Sequence, residues 1–263
     1  MRSDPLTPDV LAMLGAATGI ASKEAWTNIW FLISKTEQGN DDIHKTWLTD
    51  KGTSLFTYAS ALSYDRHKRG VTIGCVGWTT ANDGKDGHGD APALFAQYKA
   101  LGGVDLAPYV KGCCASQDAC KKLIAKIKTL DDDPTWAQAQ FKNLVTGDGY
   151  LKKTMDAWKK VGIAKPSALA VGVVFDTSLN QGFDGPDGGC THLVKLAVKG
   201  NEAATLEKYC AWKTKVAGTS EYNDPKINGT NRGKMWAALV DAKCFSLVGC
   251  DKDIAKVTRW ELK

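Results

Sequence analysis

The chain is predicted to be mainly α-helical, with one small antiparallel β element in its N-terminal third and two helical lobes around it. Three observations predict this. Apolar residues recur at i, i+3, i+4 and i+7 through most of the chain, the period of a helix with one buried stripe. One stretch, Leu55 to Trp78, breaks that period with short β-branched and aromatic segments punctuated by glycine. At 263 residues, with 43% hydrophobic and 24% charged content, the chain has core enough for one large domain built as two lobes. Residues 1–263 therefore read as a single domain, and a cleft between lobes, formed largely by 21–100, is the expected ligand site.

Thr7-Pro8-Asp9 reads as an N-cap followed by proline at the first helical position, and Gly19 closes that helix. Ser22 caps the next one. Its buried row runs Trp26, Ile29, Trp30 and Ile33, with Glu37 as the following member and Gly39 as the stop. LFTYASALSYD and GVTIGCVGW, joined by the charged turn DRHKRG, read as a twisted antiparallel ribbon. The acidic, glycine-rich NDGKDGHGD reads as a loop before a helix carrying Leu94, Phe95 and Tyr98. Helical periodicity then covers 116–130, 134–145, 151–161, 166–179, 192–198, 201–216 and 232–242, with loops at 182–189 and 218–229.

The net charge of +5 comes from scattered lysines at helical spacing, such as Lys121 and Lys122 or Lys152 and Lys153. These read as solvated helix faces, so no nucleic-acid partner is expected. No run approaches the ~18 to 20 apolar residues that span a membrane. Eight cysteines without paired C-x-x-C spacing argue against structural zinc and for disulfides in an oxidising compartment. The alternative is eight reduced cysteines in a cytosolic protein. About 105 complete pairings exist for eight cysteines, so connectivity stays open, with Cys244 to Cys250 one short-loop candidate. MRSDPLTPDV lacks the apolar core of a signal peptide and reads as a mature start. His44, His67, His88 and His192 show no ligand spacing, so neither a metal nor another cofactor is expected.

Glu37 shares a helix row with Trp30 and Ile33 and stands at the helix C-terminus. Desolvation and the negative end of the helix dipole both raise a carboxyl pKa, as a general acid working near neutrality requires. A salt-bridged glutamate at a frayed helix end is the plainer reading of that spacing alone. Asp65, flanked by Arg66, His67, Lys68 and Arg69, would stay ionised, although a turn aspartate is again the plainer reading. A protonated acid with an ionised base is the pair that hydrolyses glycosidic bonds.

RGVTIGCVGW, Arg69 to Trp78, follows that pair. A helix ending in glutamate, a downstream aspartate and then R-G-x-T-x-G-x-x-G-aromatic resembles the glycoside hydrolase family 46 chitosanases. The likeness extends from about Ala21 to Tyr98, includes Gly89-Asp90, and continues through ALFAQYKALGGVDLAPYV. VFDTSLNQG, Val174 to Gly182, also resembles a family helix ending in an aromatic-Asp pair and a glycine turn. The resemblance implies a secreted, monomeric, α+β lysozyme-like enzyme of two lobes that cuts the polysaccharide chitosan by inversion. It makes Glu37 the general acid and Asp65 the general base, with Thr72 holding the attacking water. Arg69, Asp90 and Tyr58 fall on sugar-binding positions, and Asp42 on an acidic cleft rim. It also implies a buried arginine–aspartate network behind the acid, for which Arg232 is a candidate. The chain departs from the family in DRHKRG, two residues longer than the familiar D-G-R-G turn, and in a wider Glu37 to Asp65 spacing.

Glu37, Asp41, Asp42, Asp65, Asp83, Asp86 and Asp90 fall within one segment, and carboxylates lining a cleft would focus negative potential on a cationic sugar. A calcium loop is not favoured, because their spacing is not that of an EF-hand. Thr72-Ile73-Gly74 also fits a phage-type lysozyme acting on peptidoglycan or chitin, but a hydrolase of anionic cell walls would carry a basic cleft. A non-catalytic glycan-binding protein would be expected to lose Glu37 or Thr72, and both are present.

Overall fold

The structure is a computed structural model that describes residues 6–38, 70–130, 133–216 and 231–261. In chain order it contains α1 (Pro8–Thr18), α2 (Lys23–Gln38), β1 (Thr72–Ile73), β2 (Trp78–Thr79), β3 (Ala81–Asn82), β4 (Lys85–Asp86) and α3 (Ala91–Ala100). A 3-10 turn (Ala107–Tyr109) precedes α4 (Gln117–Lys128), α5 (Pro134–Val145), α6 (Tyr150–Lys160) and α7 (Ala168–Gln181). The chain then forms α8 (Gly189–Leu196), α9 (Glu202–Val216), α10 (Asn231–Asp241) and α11 (Asp251–Glu261). It divides into two compact units, Met1–Val10 with Asp42–Asn143 and Leu11–Asp41 with Leu144–Lys263. Among the described residues no helix is long and apolar enough to cross a membrane.

The second unit is a helix bundle around α7, whose residues from Ala168 to Ser178 are all buried. Ser167 starts α7 by accepting the Ala170 N–H at 3.2 Å, and α2, α6, α8, α9 and α10 pack around it. Ser22 caps α2 in the same way, accepting the Ala25 N–H at 3.2 Å. Trp26, Ile29, Trp30 and Ile33 are buried as the helical period requires. Trp30 meets Phe175 of α7 edge-on, with centroids 5.4 Å apart and planes at 88°, and Gly172 makes room for Trp236 and Ile29. Burying each such large apolar side chain contributes roughly 1.5 to 3 kcal/mol before chain entropy is counted. α11 is absent from the helices read from sequence, though its acidic first turn and buried Ile254, Val257 and Thr258 at helical spacing mark it.

The first unit holds the β structure, and here the structure corrects one expectation: GVTIGCVGW is not one continuous strand but pairs within itself. Thr72 faces Thr79 and Ile73 faces Trp78 in an antiparallel pair. Gly74 and Gly77 turn the chain between them with φ of 75° and 79°, a region open mainly to glycine. Leu55 to Asp65, the expected partner, lies outside the described residues. The acidic stretch is not a plain loop either, because Ala81–Asn82 pairs with Lys85–Asp86. Its two-residue turn is Asp83-Gly84, with φ of 50° and 76°, the Asp-Gly hairpin chemistry that matches strand twist.

Behind these strands, Trp136 of α5 stacks with Phe95 and Tyr98 of α3, at 6.4 and 5.2 Å between centroids. The Tyr98 hydroxyl donates to Asp133 at 2.5 Å, and burial with that carboxylate raises its pKa. α5 also holds the hairpin directly. Gln140 Oε1 accepts the Cys75 N–H at 2.9 Å, and Asn143 Oδ1 accepts the Trp78 indole N–H at 2.8 Å.

Gly103 lies against the Tyr98 ring, where an added Cβ would stand 2.3 Å from Cε2. Gly103→Ala is expected to displace the ring from Trp136 and Asp133 and to cost about 2 kcal/mol by urea denaturation, whereas an unchanged midpoint would contradict that packing.

Candidate active site

Thr72 and Asp90 are the predicted site residues whose side chains the structure describes, and Thr79 links them. Thr72 pairs with Thr79 across the β1–β2 ladder, and Asp90 Oδ1 accepts the Thr79 N–H at 2.5 Å and its hydroxyl at 3.3 Å. Asp90 stands just before α3 and gives no side-chain cap to that helix, so the carboxylate is directed at β2. Gly89 permits this closeness, because a Cβ there would fall 2.0 Å from the Thr79 carbonyl oxygen. Thr72 is half-buried. Gly77 runs close beside it, a Cβ there lying 3.2 Å from Thr72 Cγ2. Gly74 has a different reason to be glycine, since its Cβ would meet the Trp78 ring at 2.6 Å.

Glu37 falls in the last turn of α2, seven positions after Trp30; its side chain lies outside what is described. Asp65, Arg69, Tyr58 and Asp42 also lie outside the described residues. Of the further carboxylates expected to supply negative potential, Asp86 is committed elsewhere. It accepts the Gly112 N–H at 2.5 Å and the Cys114 N–H at 2.8 Å, tying β4 to the 112–114 turn. Asp83 serves the β3–β4 turn.

In the second unit the structure assembles a buried ionic cluster around Asp176 of α7. Arg232 of α10 clasps its carboxylate, with Nε 2.9 Å from Oδ2 and Nη2 2.6 Å from Oδ1. The Trp236 indole donates to Oδ2 at 2.8 Å, and Lys213 Nζ of α9 stands 3.4 Å from the same oxygen. Asp176 and Arg232 are fully buried and Lys213 is 1% exposed. Burial alone would raise the Asp176 carboxyl, but Arg232 and Lys213 outweigh it and hold the pKa below the usual value. Burial pushes Lys213 the other way, down to about 8, despite the attraction of Asp176.

The sequence offers Arg232 as a candidate for such a cluster and Asp176 within a helix that resembles the family's, whereas their meeting, and Lys213, emerge only in the structure. Asp176 and Lys213 both leave a trace in the sequence all the same. Asp176 is the lone acid in the apolar ALAVGVVFDTSL, and Lys213 continues the buried row Leu206, Tyr209 and Cys210.

No family model matches the chain. A curated chitosanase from Niallia circulans is 33% identical over 276 aligned residues, covering 99% of this chain and 85% of that protein. The chain belongs to the chitosanase family. Solved chitosanases share its fold. The native Bacillus subtilis chitosanase superposes with a TM-score of 0.60 at 20% identity, covering 87% of this chain and 93% of that one. A Glu-to-Ala mutant complexed with 6 GlcN gives 0.57 at 21%, with the same coverage. A glycoside hydrolase family 46 chitosanase from Gynuella sunshinyii, in complex with chitotetraose, gives 0.61 at 17%, again with the same coverage. The fold they share is mostly helical, and among the described residues its β structure in this chain is two small antiparallel pairs, β1–β2 carrying Thr72 and β3–β4.

A lysine whose folded pKa is depressed binds fewer protons when folded than unfolded between pH 8 and its ordinary value near 10.4. Stability therefore rises with pH through that window. Against Lys213→Met, the wild type is expected to gain about 2 kcal/mol between pH 7 and pH 9.5 in parallel urea titrations. A gap that stayed constant or moved the other way would contradict a depressed lysine pKa.

Proposed function

We propose that the chain is an endo-acting hydrolase of the β-1,4 linkages of chitosan, working by inversion in a single displacement. The observation that carries this reading is the 33% identity to a curated chitosanase across 99% of the chain. The complexes of fold relatives with 6 GlcN and with chitotetraose support a glucosamine polymer as the substrate class.

In this mechanism Glu37 protonates the glycosidic oxygen as Asp65 takes a proton from water attacking the opposite face of the sugar. The two must serve opposite roles, so their environments must push their pKa values apart. On this reading a position at a helix C-terminus would raise the first, and the basic sequence neighbours Arg66, Lys68 and Arg69 would keep the second ionised. Inversion requires room for the water, with carboxyls about 6.5 to 9.5 Å apart. Thr72 is assigned to hold that water through its hydroxyl. The Thr79–Asp90 clamp fixes β2 opposite Thr72 and limits how far the hydroxyl can wander.

Arg69, Tyr58, Asp42 and Asp90 are assigned to sugar binding, the acids pairing with glucosamine ammonium groups. Asp90 already accepts two hydrogen bonds from Thr79, so a sugar contact there would be held in place by the strand. No cofactor takes part in the scheme. The enzyme is taken to act as a secreted monomer.

The test is hydrolysis of chitosan, chitin and peptidoglycan by wild type, Glu37→Gln, Asp65→Asn and Thr72→Val. Chitosan is expected to be the preferred substrate, with the α-anomer released first in proton NMR. Glu37→Gln and Asp65→Asn should each lose at least about 100-fold in kcat, and Thr72→Val a smaller factor with its Tm kept. Full activity in Glu37→Gln, or a β-anomer product, would sink the mechanism; a preference for peptidoglycan would sink the substrate.

A further inference from the structure

All eight cysteines carry free thiols in this structure, but their surroundings are unequal. In the first unit the Cys113 and Cys120 thiols are close enough to perturb each other, Cys120 lowering the pKa of Cys113 and Cys113 raising that of Cys120. Cys120 Sγ also lies 3.2 Å from the Cys113 carbonyl oxygen, so the sulfur at the first turn of α4 reaches back over the turn that leads into the helix. That turn is fixed at both ends. Cys113 N–H donates to Val110 O at 3.0 Å, and Ser116 caps α4 through the Ala119 N–H.

Cys114 follows Cys113 directly and could compete for the same partner. It is held elsewhere: its Sγ donates to Gly84 O at 2.9 Å, and its N–H is taken by Asp86. In the second unit Cys244 and Cys250 flank the turn between α10 and α11, and burial together with the nearby Cys250 thiol raises the Cys244 pKa; Cys244 Sγ also lies 3.6 Å from Asp253 Oδ2. Cys244 N–H donates to Leu239 O at 3.0 Å, and Cys250 O accepts the Ile254 N–H at 2.9 Å, so each sulfur belongs to a helix end. The Cys190 thiol instead meets the Ser178 hydroxyl at 3.7 Å and Lys153 O at 3.8 Å.

We infer that Cys113–Cys120 and Cys244–Cys250 are two disulfide sites, each stapling a turn to a helix terminus. Each bond forms when a pair gives up two protons and two electrons to an external disulfide, a protein disulfide carrier in the secretory route or oxidised glutathione in vitro. The carrier's S–S bond is reduced to two thiols through a mixed disulfide, and one S–S bond appears in the chain. The four sulfurs are buried in the folded protein, so exchange takes place while the chain folds, before α4, α10 and α11 close over them. Cross-linking then removes conformations from the unfolded chain, an effect that persists even for loops this short. Neither pair involves a residue assigned to hydrolysis, so the disulfides and the proposed reaction stand or fall separately.

The test is peptide mapping of the full chain produced in an oxidising compartment. Free thiols are blocked with N-ethylmaleimide in denaturant, and the protein is digested without reductant. Linked peptides joining Cys113 to Cys120 and Cys244 to Cys250 are expected. So is a fall of roughly 5 °C in Tm for Cys250→Ser, with the Cys113–Cys120 bond retained. Eight alkylated cysteines, or links from Cys120 to Cys114 or from Cys244 to any cysteine other than Cys250, would overturn the assignment. The linked peptides are read on the wild type, so they decide the pairing even where a variant fails to fold.

Discussion

The second unit depends on one arrangement of charge, in which, among the described residues, the buried carboxylate of Asp176 faces two cations. Asp176 lies on the helix that the rest of the bundle surrounds, and its partners come from α9 and α10. Desolvating three charged groups is costly, and a buried pair often contributes little net stability over an apolar replacement. Removing one partner is a different matter, costing about 3 to 5 kcal/mol because a charge is left alone. The cluster therefore acts as a constraint on register. Arg232 must present its guanidinium edge, Trp236 one turn on must present its indole N–H, and α10 can satisfy both in only one rotation about its axis.

Among the described residues the second cation facing Asp176 is Lys213, and lysine is a residue that can release its charge. A second arginine would stay charged at any accessible pH, whereas burial lowers Lys213 far enough to lose its proton near pH 8. The described part of the cluster then carries one positive charge less in mildly alkaline solution than in acid. The same residue that completes the ionic contact thereby makes the bundle's stability depend on pH.

Most helices were legible in the sequence from their period, and several from a capping serine as well. Ser116, Ser167 and Ser22 start helices where their spacing says they should, and Trp26 through Ile33 are buried as a row. The β structure was harder, because two-residue strands are too short for alternation to show. What specifies them is turn chemistry, the φ of Gly74, Gly77 and the Asp83-Gly84 pair, and only the last is a strong local sign. For the site, resemblance points to Thr72 and Asp90, but their connection through Thr79 depends on a contact between segments that periodicity does not report. Lys213 and the partners of Asp176 were hidden for the opposite reason: a charge on an apolar row reads as a solvated exception until its partners are brought in from distant helices.

The commitment of individual carboxylates refines the electrostatics of the proposed reaction. A chain of net charge +5 repels a polycation at long range, so attraction has to be local. Not every acid in the segment can contribute equally. Asp86 is occupied by two backbone N–H groups, and Asp90 by Thr79. Hydrogen bonding does not remove their charge, but it fixes where that charge sits and leaves fewer lone pairs for a sugar amine. In the proposed reaction the hairpin acids therefore offer a sugar amine less than their number suggests. The hairpin's own contribution is rigidity: a threonine opposite a clamped strand, flanked by glycines that admit no side chain, is suited to holding one water in one place.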